Sequence, residues 1–395
     1  MEKKKYGAHS AHAAQKRKKK TIKRKGWLVA AVVVLCILVL AVIALIAYDV
    51  WAKAPNVNRD GLLSQTTAVP VSTPEVKEPS LENRADSTPS PQDAQPSPAA
   101  TEEPLIRRDD TYTLLVVGRD RVGMNTDTIM VARMDCAAGT VDVISIPRDT
   151  LVNVPWAVKK ANSIYGTLGT EGLIDGIEAL IGFKIDNYVI VNTYVFQQLI
   201  DCIGGVYFDV PIYMYYDDPG QDLHIHLSPG YQLLNGYQAE KVVRFRQNND
   251  GTGYPDGDLG RINTQHDFFK ALARQVLSLG NIANLPQMIS IVTENTDTNL
   301  TSGNIAFYAQ EFLKIPSENV NFYTMPYDTV YIRGGSYVSI QLQPWLDMIN
   351  AYLNPFNKDV KEENLDVITY SDAAGFYSTT GSAPGFGSFY DYFSG

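Results

Sequence analysis

Residues 112–149 read YTLLVVGRDRVGMNTDTIMVARMDCAAGTVDVISIPRD. Three β-rich runs lie in this stretch, YTLLVVG at 112–118, TIMVARM at 128–134 and TVDVISIP at 140–147, separated by short polar turns. Branched and apolar residues bounded by Gly, Asp and Asn predict strands. Set as an up-down-up meander, they bring three separated positions to one end of a sheet. Strand one ends near Gly118 with Asp120 just beyond, and strand two starts near Asp127 at that same end. Strand three runs back up and stops at Pro147, leaving Arg148 and Asp149 there. The crevice outside strand ends is where open α/β sheets bind ligands.

Working outward, a helical pattern covers about 170–182, a strand falls near YVIVN, and a helix follows near 194–202. Gly204 and Gly205 stop that helix and VYFDV reads as a further strand. Asn235 is the predicted N-cap of a helix through GYQAEKVV, and a long helix spans about 259–279. Helical patterns near 284–293, 301–313 and 342–353 and a strand in NVNFYTMP complete the body. Strands mixed with helices throughout predict an α/β protein, a single domain with a mixed central β-sheet flanked by helices.

The net charge of −9 is unevenly spread: residues 1–26 carry eleven Lys or Arg and one acid, a balance of +10 that leaves −19 on the rest. Residues 27–48, WLVAAVVVLCILVLAVIALIAY, are uncharged and long enough to cross a bilayer as one helix. The basic flank predicts a cytoplasmic N-terminus, with everything after the span outside the cytoplasm and Trp27, Tyr48 and Trp51 at the interfaces. A basic stub beside a membrane span points to the lipid bilayer, not to nucleic acid. Residues 49–110 read as a Pro/Ser-rich stalk, nine of the 21 prolines lying between Pro55 and Pro104. The ordered domain is expected over 111–352, and a Gly/Ser/aromatic tail over 353–395 is expected not to pack. Cys136 and Cys202 sit in apolar patterns and read as buried small hydrophobes, their spacing licensing no bond.

Asp120 and Asp127 are hard oxygen donors flanking a short loop. They suit Mg²⁺ or Mn²⁺, which takes one or two carboxylates and leaves the rest to water and phosphate. Alone, an Asp in a turn can equally bond its own backbone. The stretch VVRFRQNNDGTGYPDGDLGRINTQ, residues 242–265, supplies the partner chemistry. Arg244 and Arg246 share a face only in extended chain, whereas Asp258 caps the next helix and Arg261 and Gln265 follow along one stripe. Planar, permanently charged guanidinium groups match phosphate oxygens, and a helix N-terminus favours the same anion. Arg148, Arg244, Arg246 and Arg261 would suit a ligand with two phosphates; the competing reading is surface ion pairing with an acidic body. His224 and His226, in HIH, share a strand face but lack a clear third ligand, and His266 lies within the long helix. No Walker loop, Ser-centred nucleophile elbow or Cys-x-x-Cys pair is present.

GRD with Asp120, NTDTIM with Asp127, SIPRDT with Arg148, KAN at 160–162, IDCIGGVYFDV, GYQLLNGYQAEKVVRFR and GDLGRINTQ together resemble the LytR-CpsA-Psr family of bacterial cell-envelope proteins, over about residues 111–280. The resemblance implies a phosphotransferase that moves a glycopolymer from a polyprenyl pyrophosphate carrier to peptidoglycan, forming a phosphodiester link. It implies metal roles for Asp120 and Asp127, and pyrophosphate binding by Arg148, Arg244, Arg246, Arg261 and Gln265. Asp258 completes the catalytic set of Asp120, Asp127 and Arg148. The Arg246–Asp258 segment is longer than the family's usual spacing and the Asp120–Asp127 loop shorter. Two rival readings keep the same residues: a polyprenyl pyrophosphate hydrolase, and a non-enzymatic binder of anionic lipid or regulator of the envelope. A pure phosphate binder needs the arginines but not two acids beside them.

Overall fold

The computed structural model describes residues 51–63, 104–119, 126–221, 223–276, 283–332, 334–373 and 375–381. The predicted span at 27–48 and basic segment at 1–26 lie outside them. Among the described residues no helix is long and apolar enough to cross a membrane.

The meander forms as predicted. β1 (Thr111–Arg119), β2 (Thr126–Asp135) and β3 (Thr140–Ser145) pair antiparallel in sequence. After α1 (Asn162–Ile181), β4 (Asn187–Asn192) joins β1 in parallel, and α2 (Thr193–Cys202) follows it directly. Two hairpin-like ribbons come next, built from β5 (Val206–Val210), β6 (Met214–Asp218), β7 (Leu223–Leu227) and β8 (Gly230–Leu234); β5 pairs with β8, and β6 with β7. α3 (Gly236–Arg244), α4 (Asp258–Val276) and α5 (Leu285–Asn295) lead to the short β9 (Asp297–Thr298), and then to α6 (Ser302–Lys314) and β10 (Val320–Thr324). The six-stranded sheet runs β10-β3-β2-β1-β4-β9 with both parallel and antiparallel pairs, the mixed sheet expected.

Strand periodicity sorts the side chains. Leu115, Val117, Ile129, Val131 and Ile144 point to one face, where α1 supplies Leu173, Ile177 and Leu180. Met130, Val141 and Val143 point to the other, against Ala273 of α4 and Ile315 after α6. A second core, separate from the sheet, gathers Val206, Phe208, Leu234, Val242, Phe245 and Phe268 beneath the ribbons and α2–α4. Beyond the sheet, β11 (Tyr327–Ile332) and β12 (Gly335–Ile340) form a hairpin, and the predicted helix at 342–353 is α7 (Leu342–Met348) followed by a wide turn over Ile349–Leu353.

Two predicted boundaries move. The tail expected not to pack from 353 onward contributes Phe356, Val360, Leu365, Val367 and Ile368, all buried, and a hairpin of β13 (Ile368–Ser371) and β14 (Gly375–Ser378). These apolar residues are spaced irregularly because they plug the end of α1, so they follow no helical or strand period. The stalk expected over 49–110 is packed at both described ends. Leu63 N donates to Gly182 O at 2.8 Å, and Arg107 is buried against Asp186, Nη2 to Oδ2 at 2.5 Å. Asp186 also accepts from Thr113 N at 2.8 Å and Asn58 N at 2.6 Å, so one carboxylate ties pre-strand chain to β1. A buried ion pair needs such extra hydrogen bonds to offset its desolvation.

Candidate active site

β2 and β3 pair with Met130 opposite Ser145. Past that last pair both chains continue to the same open end, where the side chains of Asp127 and Arg148 meet: Arg148 Nη1 donates to Asp127 Oδ1 at 2.6 Å. Arg148 Nε lies 3.8 Å from Asp149, which takes Lys160 Nζ at 3.1 Å. Asn162 N donates to Arg148 O at 3.0 Å, so the KAN segment holds the backbone behind the arginine. The convergence of strand ends that the sequence predicts is therefore present for Asp127, Arg148 and Asp149. Asp120 lies outside the described residues.

The arginine stretch is built at the junction of α3 and α4. Asn235 caps α3 in a reciprocal box with Gln238, and the helix ends at Arg244. Phe245 is extended, with φ −62° and ψ 135°, and is fully buried. Arg244 is the last residue of α3 and its Nη1 turns back to Glu240 Oε1 at 2.9 Å, so the chain is extended only from Phe245, and Arg246 follows as an exposed residue. Gln265 Nε2 donates to Val243 O at 2.8 Å, tying α4 to the last turn of α3. Beside it, His266 Nε2 sits 3.4 Å from Ser145 Oγ and 3.5 Å from Thr324 Oγ1, at the ends of β3 and β10. Successive residues of α4 thus join the arginine junction to the strand end that carries Arg148. Burial lowers the His266 pKa, with Lys270 adding to the effect and Asp267 opposing it. Asp258 is the first residue of α4, and Arg261 lies one turn on, half-buried.

Glu240 organises this junction and was not singled out from sequence. It is buried and accepts from Arg244 Nη1 at 2.9 Å, Lys241 Nζ at 3.1 Å and Gln197 Nε2 at 2.7 Å. Its signal was available, since a Glu four residues before an Arg on a helix is a pairing pattern. α2 comes close enough for Gln197 to reach because Gly236 opens α3: a Cβ there would fall 2.2 Å from Gln197 O. Only glycine permits that approach.

The long Arg246–Asp258 segment is clamped to the β6/β7 ribbon. Asn248 Oδ1 accepts from Tyr215 N at 2.6 Å, and Asn249 Oδ1 from Asp217 N at 2.7 Å, while Asn249 Nδ2 donates to Asp217 O at 3.0 Å. On the ribbon's outer face His224 and His226 do share a side, as expected, and both contact Asp217, at 2.5 and 2.9 Å. Those bonds depress the Asp217 pKa, His226 first and His224 second. Tyr254, near the segment's end, packs edge-on against Phe245 with centroids 5.7 Å apart. Burial raises the Tyr254 phenol pKa, with Thr264 and the Arg261 charge opposing.

Asp127 offers an exposed carboxylate of the kind Mg²⁺ or Mn²⁺ takes alongside phosphate. Among the described residues no group of three or more His, Cys, Asp or Glu is arranged to hold a metal ion. Cys136 and Cys202 are both free thiols, and both are half-buried, not the fully buried positions their apolar surroundings predict.

The LytR_cpsA_psr family model matches residues 77–353, and the chain belongs to that family. It is 27% identical over 208 residues to the polyisoprenyl-teichoic acid–peptidoglycan teichoic acid transferase TagU of Bacillus subtilis, covering 51% of this chain and 64% of that one. It is 35% identical over 210 residues to LcpB of Corynebacterium glutamicum, a probable cell wall biosynthesis protein, covering 51% of this chain and 48% of that one. The fold resembles the crystal structure of B. subtilis TagV, with a TM-score of 0.53 at 22% identity, covering 62% of this chain and 96% of that one. The chain spans 58%, 64% and 45% of the length of three of the curated relatives it matches.

Proposed function

We propose that the chain is a membrane-anchored phosphotransferase that moves a glycopolymer from a polyprenyl pyrophosphate carrier to peptidoglycan. What supports this reading is that one helix, α4, touches both the strand end that carries Arg148 and the helix junction that carries Arg244. Arg148 stands at the strand ends, and α4 links that edge through His266 and Gln265 to the junction holding Arg244. Arg148, Arg244, Arg246 and Arg261 bind the pyrophosphate, and Gln265 positions α4 against α3. Glu240 and the buried Phe245 hold the fork of Arg244 in place before substrate arrives.

An acceptor hydroxyl oxygen forms a bond to the sugar-side phosphorus as the bridging P–O bond breaks. Polyprenyl phosphate leaves with that electron pair, and the hydroxyl proton passes to Asp120 or Asp258. Mg²⁺ or Mn²⁺ on Asp120 and Asp127 would neutralise charge on the phosphate oxygens. No covalent enzyme intermediate is needed, because fixed cations and in-line placement lower the barrier. In this reading residues 27–48 anchor the chain, with 1–26 cytoplasmic and the domain outside, facing wall and lipid carrier.

The test is polymer transfer from a polyprenyl pyrophosphate donor to a peptidoglycan acceptor, with and without Mg²⁺. Arg244→Lys retains the charge but removes the planar fork and should slow transfer by about one to two decades. Asp127→Asn should abolish metal stimulation. Both variants transferring at the native rate would defeat the reading, and release of polyprenyl phosphate with no wall-linked polymer would instead identify a hydrolase.

A further inference from the structure

Between the β5/β8 ribbon and the outer side of α4 runs an open groove of about 570 Å³, on a different stripe of the helix from Arg261 and Gln265. One wall carries a pair of exposed tyrosines. Tyr207 and Tyr231 are 51% and 74% exposed, yet their rings stack with centroids 5.7 Å apart and planes 13° from parallel. The register explains the pairing: Tyr207 is opposite Leu233 and Asp209 opposite Tyr231, so the tyrosines are diagonal neighbours on the outer face. Large rings held side by side and open to water mark a contact surface more than a packing surface.

The opposite wall is polar. α4 presents Asn263, Thr264 and Asp267, and Asp256 stands at the rim beside Tyr254. Short hydrogen-bonding side chains facing aromatic rings match a pyranose. Its C–H face carries slight positive charge and suits the electron-rich ring face, while its hydroxyls both donate and accept. Charge selects among glycans. Asp209, Asp256 and Asp267 outnumber Lys270 and Arg274 in the lining, which disfavours a polyanionic chain and admits an uncharged one. The groove also adjoins the arginine junction, because its wall residue Tyr254 packs on Phe245 between Arg244 and Arg246.

We propose that this groove holds pyranose rings of the uncharged acceptor glycan, with Tyr207 and Tyr231 as the stacking platform and Asn263, Asp267 and Asp256 as hydroxyl partners. The proposal rests on the transferase reading, which supplies the need for a glycan acceptor. The test uses the full chain in mild detergent and chitotetraose, an uncharged tetramer of β-linked N-acetylglucosamine, with affinity measured by calorimetry in the absence of donor. The native chain should bind it, and Tyr231→Ala should weaken binding about tenfold, the scale of one lost stacking contact, whereas Tyr231→Phe should stay within about twofold. Tyr207→Ala provides an independent second variant. No binding by the native chain, or binding by both alanine variants at the native affinity, would overturn the assignment. So would competition by poly(glycerol phosphate), which would give the groove to an anionic polymer. Because no donor is present, loss of transfer in Arg244→Lys bears on the transferase reading alone, and these affinities bear on the groove.

Discussion

Arg148 Nη1 and Asp127 Oδ1 lie 2.6 Å apart on side chains that are 30% and 43% exposed. An ion pair this open to water contributes roughly 0–1 kcal/mol to stability. Arg148→Ala should therefore leave the urea midpoint nearly unchanged while slowing transfer by about one to two decades. A large fall in stability would make the pair structural and remove its assignment to the site.

Glu240 predicts the opposite division. It is buried, as is Lys241, and it accepts from three donors. Glu240→Ala leaves the Lys241 ammonium without its carboxylate in a dry setting, a loss of about 3–5 kcal/mol. Arg244→Ala, which removes the more exposed partner, should cost far less stability. Chemical denaturation of the two variants compares them directly, and equal costs would show that Glu240 is not the hub.

Truncation tests the revised domain boundary. A chain ending at residue 352 loses Phe356, Val360, Leu365, Val367 and Ile368, which are 0–4% exposed. Burying each such side chain contributes roughly 1.5–3 kcal/mol, so this chain should not melt cooperatively, whereas one ending at 381 should. Equal, sharp melting of both by circular dichroism would return the boundary to 352.

Lys159 supplies a pH signature. It is fully buried, its ammonium donates to Val154 O, and burial lowers its pKa from 10.5 to about 8. Between those values the unfolded chain binds the extra proton, so the lysine's contribution to stability rises with pH across that window. Buried Tyr112 and half-buried Cys136 titrate in the opposite sense in the same pH range, desolvation pushing their pKa values up to about 12 and 11. The difference between native and Lys159→Met isolates the effect. That difference in urea midpoint should grow in favour of the native chain from pH 8 to 10.5, and a flat difference would contradict it.

What could be read in advance follows from how each residue is held. The meander was legible because the apolar, β-rich runs at 112–118, 128–134 and 140–147 are bounded by Gly, Asp and Asn, a strictly local pattern. Asn235 was legible because a capping side chain bonds a backbone group three residues on. Glu240 was not read, although its spacing from Arg244 was visible, because its weight comes from Gln197 on another helix. Phe356, Val360 and Leu365 fill the space around Phe183 and Gly182 with no repeat of their own, and Arg107 finds Asp186 across 79 residues. Such long-range satisfaction leaves no periodic trace. The candidate residues of both halves were thus read from sequence, whereas Glu240, which holds the α3–α4 junction together, came to light only through packing.

The clamp on the Arg246–Asp258 segment has an evolutionary consequence. Asn248 and Asn249 grip only main-chain groups of Tyr213, Tyr215 and Asp217. Amide and carbonyl groups persist whatever side chain follows them, so Tyr213 or Tyr215 can be exchanged without releasing the segment. The outer ribbon face is free to diversify among descendants while the arginines beside it keep their positions.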